Sequence, residues 1–280
     1  MSIIYVNPFQ FAAAAAYDPD AQSYITAVEV QDGQSLETAV KDAINDFVVG
    51  CKNDGIWSAI KSSCILAGAR TLDGAMVPLA GTTPTKNGTV GDWNYNRKTG
   101  LQGNGTNNYI NSNSTTSIFA LQTSRHHFVY GSNFAVTGSE AVTGLYATAN
   151  IATLEILNIV DPGPVRTYRS GTGTIGQFPS IGSGLTTSGS IAGSRTSSTS
   201  AVLYQNGASA NANTTSLTPA SSTLQFYVFA ANVNNAAVGL CNARLQFWSL
   251  GDGLSGTQML DLHNRVTDLI TAFNAPGVIP

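Results

Sequence analysis

The residues able to carry hydrolytic chemistry are few, and their spacing does not suit it. Asp92, Glu140, Glu155, Asp161 and Asp252 are scattered through a stretch otherwise rich in Ser, Thr, Asn and Gly. Cleaving a glycosidic bond takes two carboxyl groups flanking it, about 5–10 Å apart. No expected strand here carries two acids on one face at a spacing of two or four. Asp161 stands in Asp-Pro-Gly-Pro and Asp252 in Gly-Asp-Gly, both turn sequences. His126 and His127 are adjacent, so on a strand their rings face opposite sides and cannot share one metal; one ring is expected half-buried and the other exposed. His263 falls between Leu262 and Val266 of an expected helix, as a surface or interface residue and not a ligand. There is no Gly-x-Ser-x-Gly elbow. Gly171-Thr172-Gly173-Thr174-Ile175-Gly176 has the letters of a dinucleotide loop, but Gln177-Phe178-Pro179 cannot open the helix that the pyrophosphate needs. These residues point away from an enzyme and call for no cofactor or metal.

The densest mixture of aromatic, amide and basic side chains is Asp92-Trp93-Asn94-Tyr95-Asn96-Arg97-Lys98. Rings flanked by amides suit a sugar, whose C–H face stacks while amides take its hydroxyls. Trp93, Tyr95 and Asn96 are therefore candidate glycan contacts. The competing reading puts Trp93 and Tyr95 on the inward face of an opening strand, with Arg97 bonding backbone. Cys51, Cys64 and Cys241 show no metal spacing and read as small buried apolar side chains; a Cys51–Cys64 bridge is the alternative.

The elements that would position these residues fall into two textures. Residues 1–80 form an apolar arm followed by helices. The arm gathers Ile3, Ile4, Tyr5, Val6, Phe9 and Phe11 around Pro8, with no burial partner nearby in sequence. Asp18-Pro19 is an N-cap followed by Pro at the first helical position, and Asp32-Gly33 ends that helix. Ser35 is expected to cap a second helix, whose stripe is Leu36, Val40, Ala43, Ile44, Phe47, Val48 and Cys51. Ile56 to about Ser63 reads as a third. Residues 81–280 read as a sandwich closed by a helix at 255–273. Strands are expected at Tyr109–Asn111, His126–Tyr130, Val142–Thr148, Ile151–Ile159, Val165–Arg169, Ile191–Arg195, Val202–Gln205, Leu224–Ala231 and Arg244–Leu250. Asn206-Gly207 marks a tight hairpin. The closing helix presents Met259, Leu262, Val266, Leu269, Ile270 and Phe273 on one face, with Asp261 and Arg265 paired four apart on its surface.

Charged residues make up 10% of the chain, against about 25% in typical domains. Ser, Thr, Asn and Gln must then do most of the solvating, as is common in secreted and virion proteins. With 13 basic residues thinly spread and a net charge of −3, the chain lacks the clustered cations of a nucleic-acid binder. No apolar stretch reaches the roughly 18 residues of a membrane span, and no basic-then-apolar leader precedes the arm. Synthesis in the cytoplasm without a signal peptide is expected.

Three segments carry a family resemblance: Phe47–Trp57 continuing through Leu66-Ala67-Gly68-Ala69-Arg70, Tyr95–Gly105, and Arg244–Leu254 with its helix. Together, across about residues 35–275, they resemble tailed-bacteriophage virion proteins with a concanavalin A-like (laminin-G-type) jelly roll. The resemblance implies a mainly β jelly-roll sandwich with an N-terminal helical region and a C-terminal docking helix. It also implies a structural role on the virion. With no shaft repeat present, the expectation is a capsid decoration or cement protein, a trimer whose arm docks on the major capsid protein or other virion subunits. The alternative is a tail-fibre or tail-associated adhesin that binds host-surface glycan.

Overall fold

The computed structural model describes residues 16–89, 91–134, 140–147, 153–160, 165–171, 179–182 and 184–280, with only the backbone described for 153–160, 165 and 171. The candidate interface residues Ile3, Ile4, Tyr5, Val6, Phe9 and Phe11 lie outside these, as do Asp161 and most of the Gly171–Gly176 loop.

Helix α1 spans Pro19–Asp32; the Asp18 carboxylate accepts from the Asp20 amide, and Gly33 ends it in the left-handed region at φ 67°. Helix α2 spans Thr38–Asn53. Its expected Ser35 cap does not form: Glu37 is the capping residue and makes no side-chain cap. Its carboxylate is drawn away to Arg97 and Arg70. The apolar stripe from Leu36 to Cys51 is buried as expected. A four-residue helix, α3 (Leu72–Ala75), follows. The closing helix, α4 (Gly256–Asn274), starts from a capping box in which Ser255 and Gln258 satisfy each other's backbone.

The strands are, in chain order, Ile60–Ile65 (β1), Thr85–Asn87 (β2), Asn94–Asn96 (β3), Gly100–Gln102 (β4), Tyr109–Asn111 (β5), Arg125–Ser132 (β6), Glu140–Ala147 (β7) and Thr153–Val160 (β8). Then come Val165–Gly171 (β9), Ser180–Ile181 (β10), Ser188–Ser197 (β11), Ser200–Gln205 (β12), Ala208–Asn213 (β13), Tyr227–Val228 (β14), Ala231–Val233 (β15), Ala236–Val238 (β16) and Arg244–Gly251 (β17). One sheet runs β13-β12-β11-β6-β17-β4-β3, with β1 added along β17; the other runs β10-β9-β8-β7-β14-β5-β2, with β15 and β16 beside β7. The molecule is a jelly-roll-type β-sandwich with helices on the outer face of the first sheet.

Alternation along the strands builds both layers. Val129 and Trp248 face the second sheet, while their neighbours Phe128 and Phe247 face the helices. Phe247 sits between Phe47 of α2 and Phe128, with ring centroids 5.6 and 5.9 Å away. The apolar face of α4 from Met259 to Phe273 is buried in the same layer.

Two sequence expectations need correction. Residues 56–63 are not a helix: a single 3-10 turn at Trp57–Ala59 leads into β1, which pairs antiparallel with β17 from Ile60↔Gly251 to Ile65↔Phe247. An open strand edge outcompetes local helix propensity there. Packing also runs across residue 80, because α1, α2 and β1 share one apolar cluster with α4 and Phe247. The run Leu224–Ala231 is not continuous; Phe229 takes φ 67°, which separates β14 from β15. Asn206-Gly207 does form its hairpin turn, with φ 51° and 75°.

Replacing Phe247 with Ala should lower the unfolding free energy by about 3–5 kcal/mol, the usual cost of emptying a buried aromatic site. Urea titration measures it, with Leu260→Ala as a control at an exposed position of α4.

Candidate functional site

The outer face of the first sheet is covered by α4 only in part. Where the helix leaves the sheet exposed, β6, β11, the Asn206-Gly207 turn, β17 and α4 enclose an open groove of about 370 Å³. Tyr130, Ser132, Asn206, Gln246, His263 and Thr267 line it, with Gly131 and Gly189 in its floor. The glycines belong there for a reason. A Cβ at Gly131 would strike the Arg244 carbonyl at 2.1 Å, and one at Gly189 would strike the Asn206 amide at 2.0 Å.

The lining is held in place from behind. His263 Nδ1 lies 2.9 Å from Ser190 Oγ, which leaves Nε2 as the nitrogen available to a ligand. Burial depresses the His263 pKa, so the ring is neutral near pH 7. The Tyr130 ring lies 6.0 Å from that imidazole, tilted by 39°. Asn206 Oδ1 accepts from the Ser190 amide at 2.9 Å, and Gln246 Nε2 donates to the Lys98 carbonyl at 3.0 Å. The groove therefore offers one aromatic face, two amides, hydroxyls and a neutral imidazole. None of the described residues lining it is an acid.

The residues singled out from sequence lie elsewhere. Trp93 packs edge-on against Phe229 at 5.8 Å. The Tyr95 hydroxyl donates to the Ala69 carbonyl at 2.6 Å from a largely buried ring, which raises its pKa through desolvation. Asn96 Oδ1 accepts from the Lys98 and Thr99 amides, closing its own turn. Arg97 bonds the Gly68 and Ala69 carbonyls and grips both Glu37 oxygens at 3.1 and 2.7 Å. This segment clasps α2 to the sandwich, so two of the three family-like segments are joined to each other through Tyr95, Arg97, Gly68 and Ala69.

The adjacent histidines do face opposite ways, but both are fully buried, contrary to the expectation that one would be exposed. Strand β6 is covered on both sides, by helices and by the second sheet. His126 Nδ1 donates to the Asp252 carbonyl at 2.7 Å, and Nε2 lies 2.8 Å from Ser249 Oγ, which donates to it when the ring is neutral. Burial lowers the pKa to about 4, which makes the ring neutral at pH 7. His127 packs between Tyr168 and Phe226 inside the sandwich, and its pKa is held well below the usual imidazole value, by burial first and then by His126 and Arg125.

Among the carboxylates, Asp252 pairs with Lys61 at 3.2 Å and accepts from the Ala120 amide. Asp92 is exposed near Asn104. Glu140 is half-buried, which raises its pKa. The Glu155 side chain and Asp161 lie outside the described residues. Arg265 bonds Asp54 of the α2 terminus at 2.7 and 3.0 Å instead of its expected helical neighbour Asp261. The three cysteines are free and buried, so Cys51 and Cys64 are not bridged. Among the described residues no cluster of His, Cys, Asp and Glu could hold a metal ion, and no helix is long and apolar enough to cross a membrane.

The sequence matches no family model and no curated protein. Solved structures do match. A Trypanosoma rangeli sialidase in complex with sialic acid aligns at 11% identity over 76% of this chain and 34% of the sialidase, with a TM-score of 0.53. The HCR/D-Sa-GBL1/C crystal structure aligns at 10% identity over 74% of this chain and 52% of that one, with a TM-score of 0.51. Domain 4 of AbnA, a GH43 extracellular arabinanase from Geobacillus stearothermophilus in complex with arabinotriose, aligns at 15% identity over 73% of this chain and 99% of the domain. Its TM-score of 0.41 is too low to carry an argument. The chain spans about a third of the sialidase and half of the HCR/D chain. At these identities the likeness shows the fold: a β-sandwich.

Acid should destabilise the protein through His126. With the folded value near 4 and an unfolded value of about 6.5, its contribution is complete above pH 6.5 and is lost as pH falls toward 4. Urea titrations at pH 7.5 and 5.0 should differ by about 2 kcal/mol from this group alone, with His127 adding in the same direction. Equal stabilities at the two pH values would contradict a neutral His126 ring.

Proposed function

We propose that this chain is a non-catalytic structural protein of a tailed-phage virion whose sandwich binds host-surface glycan. The observation that carries the binding half is the groove beside α4, where Tyr130 offers a ring face, Asn206 and Gln246 offer amides, and none of the described residues lining it is an acid. Sugars are recognised by that combination, a stacked C–H face with hydroxyls shared among amides and imidazole. Hydrolysis would need a pair of carboxyl groups beside the bound glycosidic bond, which this lining does not supply.

The virion setting rests on the resemblance of residues 35–275. Two placements are consistent with it. In the first, the chain decorates the head as a trimer, its leading apolar residues Ile3, Ile4, Tyr5, Val6, Phe9 and Phe11 buried on the major capsid protein or sister subunits; the concentration of large apolar side chains there favours this. In the second, it is a tail-borne adhesin, and the groove favours that one. The geometry supports the glycan-binding reading best.

Wild-type protein on a glycan array should give saccharide binding without release of product, and Tyr130→Ala or Gln246→Ala should weaken it at least tenfold while circular dichroism stays unchanged. Absence of binding to any glycan, or turnover of a bound one, would overturn the reading. Copy number per purified particle separates the placements, with hundreds of copies meaning head decoration and a few tens meaning tail.

A further inference from the structure

In the groove beside α4, hydrogen bonds within the protein decide which atoms are left for a ligand. Gln246 donates to the Lys98 carbonyl at 3.0 Å. Only the amide nitrogen can do so, which orients the group and leaves Oε1 as a free acceptor. Thr267 donates its one hydroxyl hydrogen to the His263 carbonyl at 2.8 Å, a turn earlier on α4, and keeps only lone pairs. Asn206 is held in the opposite sense: its Oδ1 accepts from the Ser190 amide, so Nδ2 is the donor that remains. The Ser132 and Ser188 hydroxyls in the same lining can turn either way.

Two oriented acceptors and one oriented donor suit a hydroxyl, which gives one hydrogen and accepts through its lone pairs. A carboxylate only accepts. Brought against Gln246 Oε1 and Thr267 Oγ1, it sets lone pairs against lone pairs and leaves both oxygens without a hydrogen. Sites built around a ligand hydroxyl reject strongly a ligand that lacks it. The lining offers no compensation. None of its described residues is Lys or Arg, and His263 is neutral near pH 7. An ionised group entering there loses hydration and gains no counter-charge.

We propose that the groove takes a neutral glycan, held through the hydroxyls of an uncharged hexose, and discriminates against uronic and sialic acid units. This rests on the glycan-binding reading and adds its substrate class. Gln246 and Thr267 set the preference, because each needs a hydrogen that only the ligand can bring.

The test is an array of matched pairs probed with the full chain. Gluco-, galacto- and manno-configured uronic acid oligomers are printed beside their carboxyl-reduced forms, and sialyllactose beside lactose. The neutral members should bind at least tenfold tighter than their acidic partners. That ratio should persist in about 0.5 M salt, where long-range repulsion from the chain's net charge of −3 is screened. Thr267→Val should weaken neutral binding at least threefold and narrow the ratio, with circular dichroism unchanged. Acidic members bound as well as neutral ones would overturn the proposal while leaving glycan binding intact. A ratio that collapses in salt, or one that Thr267→Val does not narrow, would overturn it too. Binding of neither kind would remove the glycan-binding reading and this one with it.

Discussion

Strand β17 is buried on both faces and paired on both edges, and most of the architecture follows from that. Its Trp248 and Leu250 fill the interior of the sandwich, while Phe247 anchors the helices. On one edge it meets β6; on the other it meets β4 over two residues and then β1 over the rest. A strand in this position cannot slip by one residue without sending Trp248 into the helical layer and Phe247 into the sheet interface. The helices, in turn, bury their stripes only because that outward row of side chains is presented to them.

Charge is used sparingly and mostly as fastening. Arg97 joins α2 to the loop at Gly68 through both Glu37 oxygens, Arg265 joins α4 to the end of α2, and Lys52 meets Asp18 and Asp20 at the start of α1. The remaining surface is solvated chiefly by hydroxyls and amides. Low charge is thus compatible with a rigid helical layer, because bidentate guanidinium contacts fix orientation where scattered surface pairs contribute little.

The parts of this fold legible from sequence were those with enough length to show a period. The stripes of α2 and α4, the long strands β6, β11 and β17, and the Asn206-Gly207 turn all announce themselves locally. The strands β2, β3 and β4 are three residues each, too short for alternation to register. β13, written Ala-Ser-Ala-Asn-Ala-Asn, has no apolar face to read. β1 reads locally as helix because its state is decided by an edge of β17 almost two hundred residues away. The candidate site was not legible at all: Tyr130, Asn206, Gln246 and His263 are joined only by the fold. Trp93, Tyr95 and Asn96 drew attention by local density, yet the same rings and amides serve internal packing and turn closure.

The order in which the parts are synthesised has its own consequence. The central strand of the first sheet is synthesised long after the strands it joins, so until Gly251 emerges β6 has no neighbour on one side and β1 only its bridge to Ala80. Nascent chains must wait with a long, incomplete sheet edge exposed, and contacts spanning that much sequence form slowly. A message cut short before that strand would yield a product unable to close its core, which gives the host's proteases an easy target and keeps defective copies out of any assembly.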